Sequence, residues 1–186
     1  MNTVVTSREA ILEVSRQLIR RQGWAGVSIR ALASACGVSV GSIYNYFDSK
    51  AALMAATVES VWQDVFHFSA GAAGYDSFLS CVQWLFDSLA KGAEKYPGFF
   101  TLHSMSFLGE DDRSEGQQVM ARSWAHIQNA LLAVLLNDKA IRPEAFDAQL
   151  RPEDFSQLVF SLMLSALLRQ DYDCRAILEM IKRTIY

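Results

Sequence analysis

The sequence predicts an all-helical protein in two parts, a small N-terminal head and a larger helical body. Three observations predict it. Apolar residues recur at intervals of three and four along most of the chain. Only three prolines occur in 186 residues, so long helices can run unbroken. No segment alternates apolar and polar residues as a half-buried strand would. With 51% hydrophobic residues the chain can also bury a sizeable core.

The first helix is predicted from about Ser7 to Gln22. Ser7 can cap it, Ala10, Ile11, Val14, Leu18 and Ile19 fall on one face, and Gly23 is placed to end it. Ser28 caps a short second helix with Ile29, Leu32, Ala33 and Cys36 inward, and Gly37 stops it. Ser39 caps a third, predicted from Val40 to Phe47, with Ile43 and Phe47 inward one turn apart. Two short helices joined by Gly-Val-Ser form a helix-turn-helix pattern.

From Ser49 a longer helix carries Met54, Val58, Val61, Val65 and Phe68, until the run AGAAG at 70–74 interrupts it. Asp76 or Ser77 opens the next, with Phe78, Val82, Leu85, Phe86 and Leu89, and Tyr96-Pro97-Gly98 ends it. A short apolar segment, FFTLHSMSFL, and an acidic loop, GEDDRSEG, follow. Met120, Trp124, Ile127, Leu131 and Val134 mark another helix, and a stretch with two prolines then holds a short helical turn at Phe146.

Phe155 to Leu168 is apolar nearly all round. One stripe runs through Phe155, Leu158, Val159, Leu162, Met163 and Ala166, another through Phe160, Leu164, Leu167 and Leu168. A helix of this kind must be covered on both sides, and a second copy of the chain is the expected cover for the second stripe. Asp173 caps the last helix, where Ile177, Leu178, Ile181 and Ile185 share a face and Lys182 and Arg183 favour the C-terminal dipole. The expected dimer contact comprises Phe160, Leu164, Leu167, Leu168, Ile177 and Ile181.

Composition narrows the partners. Net charge is -3, but residues 1–50 hold six basic and three acidic side chains, so the head is positive and the body acidic. That asymmetry fits a head facing a polyanion. Three widely spaced cysteines suggest neither a disulfide framework nor a zinc site. No apolar run is long enough to span a membrane, and the first residues lack the apolar stretch of a secretory signal, so the expected compartment is the cytoplasm and no membrane partner is expected. No cofactor and no metal are expected, and no constellation of Ser/His/Asp, paired carboxylates or Gly-rich loop points to catalysis.

Residues 36–53, CGVSVGSIYNYFDSKAAL, concentrate short donors and phenols. Val40, Ser42, Tyr44 and Asn45 point away from the inward pair Ile43 and Phe47, and Gly41 keeps no backbone at a distance. Hydroxyls of Ser39, Ser42, Tyr44 and Tyr46 and the ammonium of Lys50 can meet phosphate oxygens, while Tyr44 and Asn45 can reach base edges. The run G-S-I-Y-N-Y-F-D-S-K-A-A-L, with Gly23, the S-I-R-A-L-A run from Ser28 and the A-x-x-x-G-V-S ending at Ser39, resembles the signature of the tetracycline-repressor (TetR) family of bacterial regulators. The resemblance covers about residues 7–53. It implies about nine helices: a three-helix DNA-binding head over 1–48 and a ligand-binding, dimerising body over 49–186. It further implies phosphate contacts from Ser28, Ser39, Tyr46 and Lys50, and base approach by Val40, Gly41, Tyr44 and Asn45. Val40 offers only methyl groups where many relatives carry a polar reader, so its contact would be a thymine methyl.

The body is dense in aromatic residues and methionines, which suit an adaptable apolar cavity. The expected ligand contacts are Trp62, Phe66, Phe86, Phe100, His103, Phe107, Met120 and Trp124, with His103, His67 and Gln128 able to orient a ligand. Few charges lie on these faces, so the effector is expected to be small and largely apolar. The reading is a ligand-responsive transcriptional regulator, a repressor that binds a palindromic operator as a homodimer, with the fourth helix as lever between effector and head. The competing class, a helical carrier or enzyme using the body cavity, has no use for the donor cluster between Gly41 and Lys50.

Overall fold

The computed structural model describes residues 7–66, 75, 77–100 and 113–186, and for 113–123 the backbone only. Among them are eight α-helices and one 3-10 turn: α1 Arg8–Gln22, the turn Trp24–Gly26, α2 Ile29–Cys36, α3 Val40–Tyr44, α4 Lys50–Phe66, α5 Phe78–Lys95, α6 Arg113–Asn137, α7 Pro152–Arg169 and α8 Arg175–Ile185. No strand occurs among the described residues. The chain folds as two compact units. The first joins Met1–Asp64 with Gly92–Arg122, the second Val65–Lys91 with Ser123–Tyr186.

In the first unit the local signals act as the sequence predicts. Ser7 and Ser28 each accept the backbone N–H three residues on, at 3.1 Å, closing the open end of α1 and α2. Gly37 ends α2 in the left-handed region, φ +68°. α3 is shorter than predicted. It closes at Tyr44, and a turn from Ile43 O to Tyr46 N follows. Phe47 is nevertheless buried, in one cluster with Ile11, Leu32, Cys36, Ile43 and Leu53. Its spacing of four from Ile43 mimics a helical repeat, although the chain turns between them.

α4 opens on Ser49, whose Oγ accepts Ala52 N–H at 2.9 Å. Beyond α5 a Pro-Gly turn closes with Phe99 N–H on Tyr96 O, and Gly98 supplies the positive φ of +73°. This turn lies against the end of α1. Gly23 has φ +70°, and a Cβ added there would stand 3.2 Å from Pro97 O, so conformation and contact both require glycine. Around it the rings of Trp24, Trp62, Phe99 and Phe100 meet, with Phe99 edge-on to Trp24 at 5.6 Å and Trp62 at 5.3 Å from Phe100.

Polar contacts tie the same elements. Arg16 on α1 donates to Ser60 on α4 and pairs with Glu13. Arg20 Nη2 donates to the Tyr96 hydroxyl at 2.9 Å, and that hydroxyl donates to Asp64 at 2.5 Å. Lys95 reaches the same carboxylate oxygen at 2.6 Å. Burial works to raise the pKa of Asp64, but the bonds from Lys95 and Tyr96 outweigh it and hold the carboxyl below the usual range. Burial and the Asp64 bond push Tyr96 up to about 12.

In the second unit, Ser77 Oγ accepts Ser80 N–H at 3.1 Å at the start of α5. The helix is capped again from far away: Asp138 Oδ2 accepts Phe78 N–H at 2.7 Å and the Tyr186 hydroxyl, while its Oδ1 accepts Ala140 N–H. The predicted helical turn at Phe146 is absent. That ring instead packs edge-on against Phe155 at 5.8 Å. The acidic loop is also shorter than predicted, because α6 already begins at Arg113.

α7 corrects the expected dimer contact. Phe160, Leu167 and Ile181 are fully buried by their own chain, and Phe160 packs edge-on against Trp124 at 6.3 Å. The predicted second stripe winds around the helix, so part of it reaches the core. Leu164 and Ile177 are half-buried and Leu168 is exposed. The outward row of α7 is Leu158, Ser161, Leu162, Ser165 and Leu168, with Leu158 57% and Leu168 51% exposed.

Asp138→Ala removes an acceptor shared by an amide, a phenol and a turn. It should lower unfolding stability by about 1–3 kcal/mol in urea titrations at neutral pH. Burial opposes ionisation of Asp138, but Tyr186 and the two amides hold its pKa below the ordinary value. Its contribution is therefore present above the unfolded pKa and fades as pH falls below about 4, so parent and variant should converge there.

Candidate nucleic-acid interface

The head leaves most of its predicted donors open to solvent. Ser28, Ser39, Gly41, Tyr44, Asn45, Tyr46 and Lys50 are exposed, and Val40 and Ser42 are half-buried. Tyr44 and Tyr46 stand out as large apolar residues left 44% and 38% exposed. Ile43 of α3 is sealed from solvent and is the main anchor of this short helix. Val40 leans partly on the core cluster, which leaves only part of its methyl surface outward.

The two serines carry a second task that the sequence already signals. Ser39 Oγ accepts Ser42 N–H at 3.1 Å and shares a hydroxyl contact with Ser42 at 2.9 Å. Ser28 Oγ does the same for α2. A capping oxygen accepts, so the hydroxyl proton of Ser28 remains able to donate outward.

Gly41 is informative because no packing contact among the described residues requires it. An added Cβ would meet only Ser39 Oγ, at 3.7 Å, an ordinary contact. A glycine inside a helix costs about 1 kcal/mol against alanine. The head also exposes positive charge. Arg21, Arg30 and Lys50 are exposed and make no ion pair among the described residues. Arg8 lies over the Phe47 ring at 5.1 Å, on the inner side of the same turn.

The expected effector residues separate between the units. Trp62 and Phe100 are buried in the first; Phe66 and Phe86 are buried and Trp124 half-buried in the second. Phe66 meets Trp84 at 6.0 Å, and Trp84 meets Tyr75 at 5.4 Å. His103, Phe107 and His67 lie outside the described residues, as does the side chain of Met120. Gln128 instead lines a shallow depression of ≈ 200 Å³ with Asn129, Leu132, Glu153, Ser156 and Gln157, a lining that is mostly polar. Cys81 is buried, and burial pushes its thiol up to about 12, which leaves almost no thiolate at neutral pH. Among the described residues no three metal-binding side chains cluster, and no helix is long and apolar enough to cross a membrane.

A three-residue turn between two short helices, over a core shared with α1 and α4, defines a helix-turn-helix protein. Residues 11–57 match the family described as bacterial regulatory proteins, tetR family. An uncharacterized HTH-type transcriptional regulator of Mycobacterium tuberculosis is 31% identical over 110 residues, 57% of this chain and 49% of that protein. This chain thus spans about half the length of that relative. Its fold resembles that of reduced NemR from E. coli, with a TM-score of 0.70 at 19% identity over 96% of this chain and 97% of that one. The multidrug binding protein EbrR, solved with imidazole, gives a TM-score of 0.64 at 20% identity over 96% and 94%. The match to the tetR family of bacterial regulatory proteins thus lies in residues 11–57, which hold α2, α3 and most of α1.

Gly41→Ala should raise the stability of the head by about 0.5–1 kcal/mol, because it restores helix propensity where no neighbour is displaced. Thermal unfolding of the variant checks this. A loss of stability would mean that the backbone at Gly41 is strained in a way its surroundings do not explain.

Proposed function

We propose that the chain is a transcriptional regulator whose head reads duplex DNA through α3. The carrying observation is Gly41, an exposed glycine that packing among the described residues does not require, in the same segment as the exposed Ser39, Tyr44, Asn45 and Tyr46. A residue that costs helix stability and relieves no internal clash makes sense if another molecule's backbone comes close there. Tyr46, Lys50, Ser28 and Ser39 then hold phosphates, and Tyr44 and Asn45 reach base edges, with Val40 against a thymine methyl.

The regulator acts as a homodimer on a two-fold operator. Support comes from the outward row of α7, where Ser161 and Ser165 separate Leu158, Leu162 and Leu168, with Met180 of α8 42% exposed. Small residues one turn apart let two helices approach closely while the leucines interdigitate. An isologous contact covers both copies at once. The working mode is repression, relieved by a small, largely apolar effector. The fold is compatible with such a ligand, since EbrR, which shares it, is a multidrug binding protein.

Tyr46→Phe and Lys50→Ala should weaken binding to all duplexes alike, and Lys50→Ala should reduce the slope of log affinity against log salt by about 1. Fluorescence anisotropy on a duplex selected from a random library measures both, and unchanged affinity and slope would remove these residues from the interface. Gly41→Ala, stable or more stable, should bind that duplex more weakly. If it binds equally well, the argument from glycine fails. Leu168→Glu places a charge on the outward face of α7 and should shift sedimentation towards monomer, while a monomeric parent would end the dimer reading.

A further inference from the structure

We infer that the Tyr96 hydroxyl is a latch that fixes the angle of the DNA-binding head on α4, with Arg20 of α1 and Asp64 of α4 as its two catches. The inference rests on the DNA-binding reading and adds the residues that set how the head is held.

Tyr96 is fully buried, yet its single hydroxyl serves two elements at once. It accepts from Arg20 Nη2 at 2.9 Å and donates to Asp64 Oδ2 at 2.5 Å. Arg20 stands 3.7 Å from the same carboxylate oxygen and 3.8 Å from Glu13, with its guanidinium 5.2 Å from the Tyr96 ring centre. Lys95, beside Tyr96 in sequence, fills a further position on Asp64. These bonds are directional, unlike the apolar contact of Trp24 with Phe99 next to them. Apolar surfaces can slide by fractions of an ångström, whereas a donor–acceptor chain is made or broken.

Two features make the latch releasable. Arg20 Nε is buried without a hydrogen-bond partner, so the closed arrangement leaves one donor unserved. The Arg20 side chain is also 32% exposed, so a freed guanidinium has water within reach. Tyr96 is further coupled to the aromatic cluster: Phe99 lies 6.3 Å from its ring and 6.0 Å from Trp62, and Phe100 packs on both Phe99 and Trp62. A displacement of Phe99 or Phe100 moves the turn that carries the hydroxyl.

The test uses the full chain and duplexes selected from a random library, remade with the half-site separation changed by one and two base pairs. A head held at a fixed angle should discriminate against the altered spacings by about tenfold or more in the parent, within the usual range of such coupling. Tyr96→Phe keeps the buried ring and removes the catch, and it should flatten that discrimination to about threefold or less. Arg20→Gln, at a partly exposed site, should flatten it equally. The double variant should do no more than either alone, because all three break one chain. A merely structural role would weaken every duplex in proportion and leave the spacing profile intact. An unchanged profile in both single variants, or additive effects in the double, overturns the latch. A parent that selects no duplex overturns the DNA-binding reading, and the latch falls with it.

Discussion

The head depends on one constraint: its exposed donor residues ride on a helix too short to stand alone. α3 has five residues, little more than a turn, and an isolated helix of that length does not persist in water. It exists because Ile43 is driven into a core already formed by Ile11, Leu32 and Leu53, because Phe47 follows it there, and because Ser39 closes its first turn. With so few residues, one face is committed to anchoring and the remainder is outward. The same economy explains why tyrosines and small donors crowd the segment. Tyr44, Asn45 and Tyr46 are thereby left open to solvent.

That anchoring core does not end with the helix-turn-helix. Leu53 and Ala56 of α4 belong to it, and Arg16 and Arg20 of α1 reach on to Ser60 and Asp64. The compact unit accordingly runs through Asp64 and takes in Gly92–Arg122, so α4, α5 and α6 are each divided between units. The side-chain ties from α1 to α4 run along one flank of the helix, at Ser60 and Asp64.

The local features were legible and the distant ones were not. Caps at Ser7, Ser28 and Ser39 and the stop at Gly37 follow from residue type and position, because each interaction closes within four residues. The inward residues of the head follow from helical period. Gly23 is legible as a helix stop, and its φ of +70° fits that role, but its close approach to Pro97, more than seventy positions away, is not legible. The sequence marks Tyr96 only as part of a turn, and no local pattern singles out Asp138 or Tyr186. Their partners are brought close by folding, and no spacing in sequence announces them. The outward surface of α7 was half legible. An all-round apolar helix declares that both sides are covered, but it does not say which leucine meets the chain's own core.

The two kinds of contact divide the labour in the first unit. Apolar burial, non-directional and large in sum, holds the three short helices together and tolerates small shifts. The charged and phenolic chain between α1, α4 and the Tyr96 turn contributes less to stability, because Asp64, Arg20 and Lys95 lose hydration as they pair. What it adds is definition of angle. A sequence that needed only a stable junction could fill that space with aliphatic residues, as it does around Ile43. Placing a buried phenol between an arginine and a carboxylate, with one arginine nitrogen left unserved, gives the junction a single preferred geometry at small net stabilisation. A junction so composed is firm enough to orient a head and close enough to balance to be released.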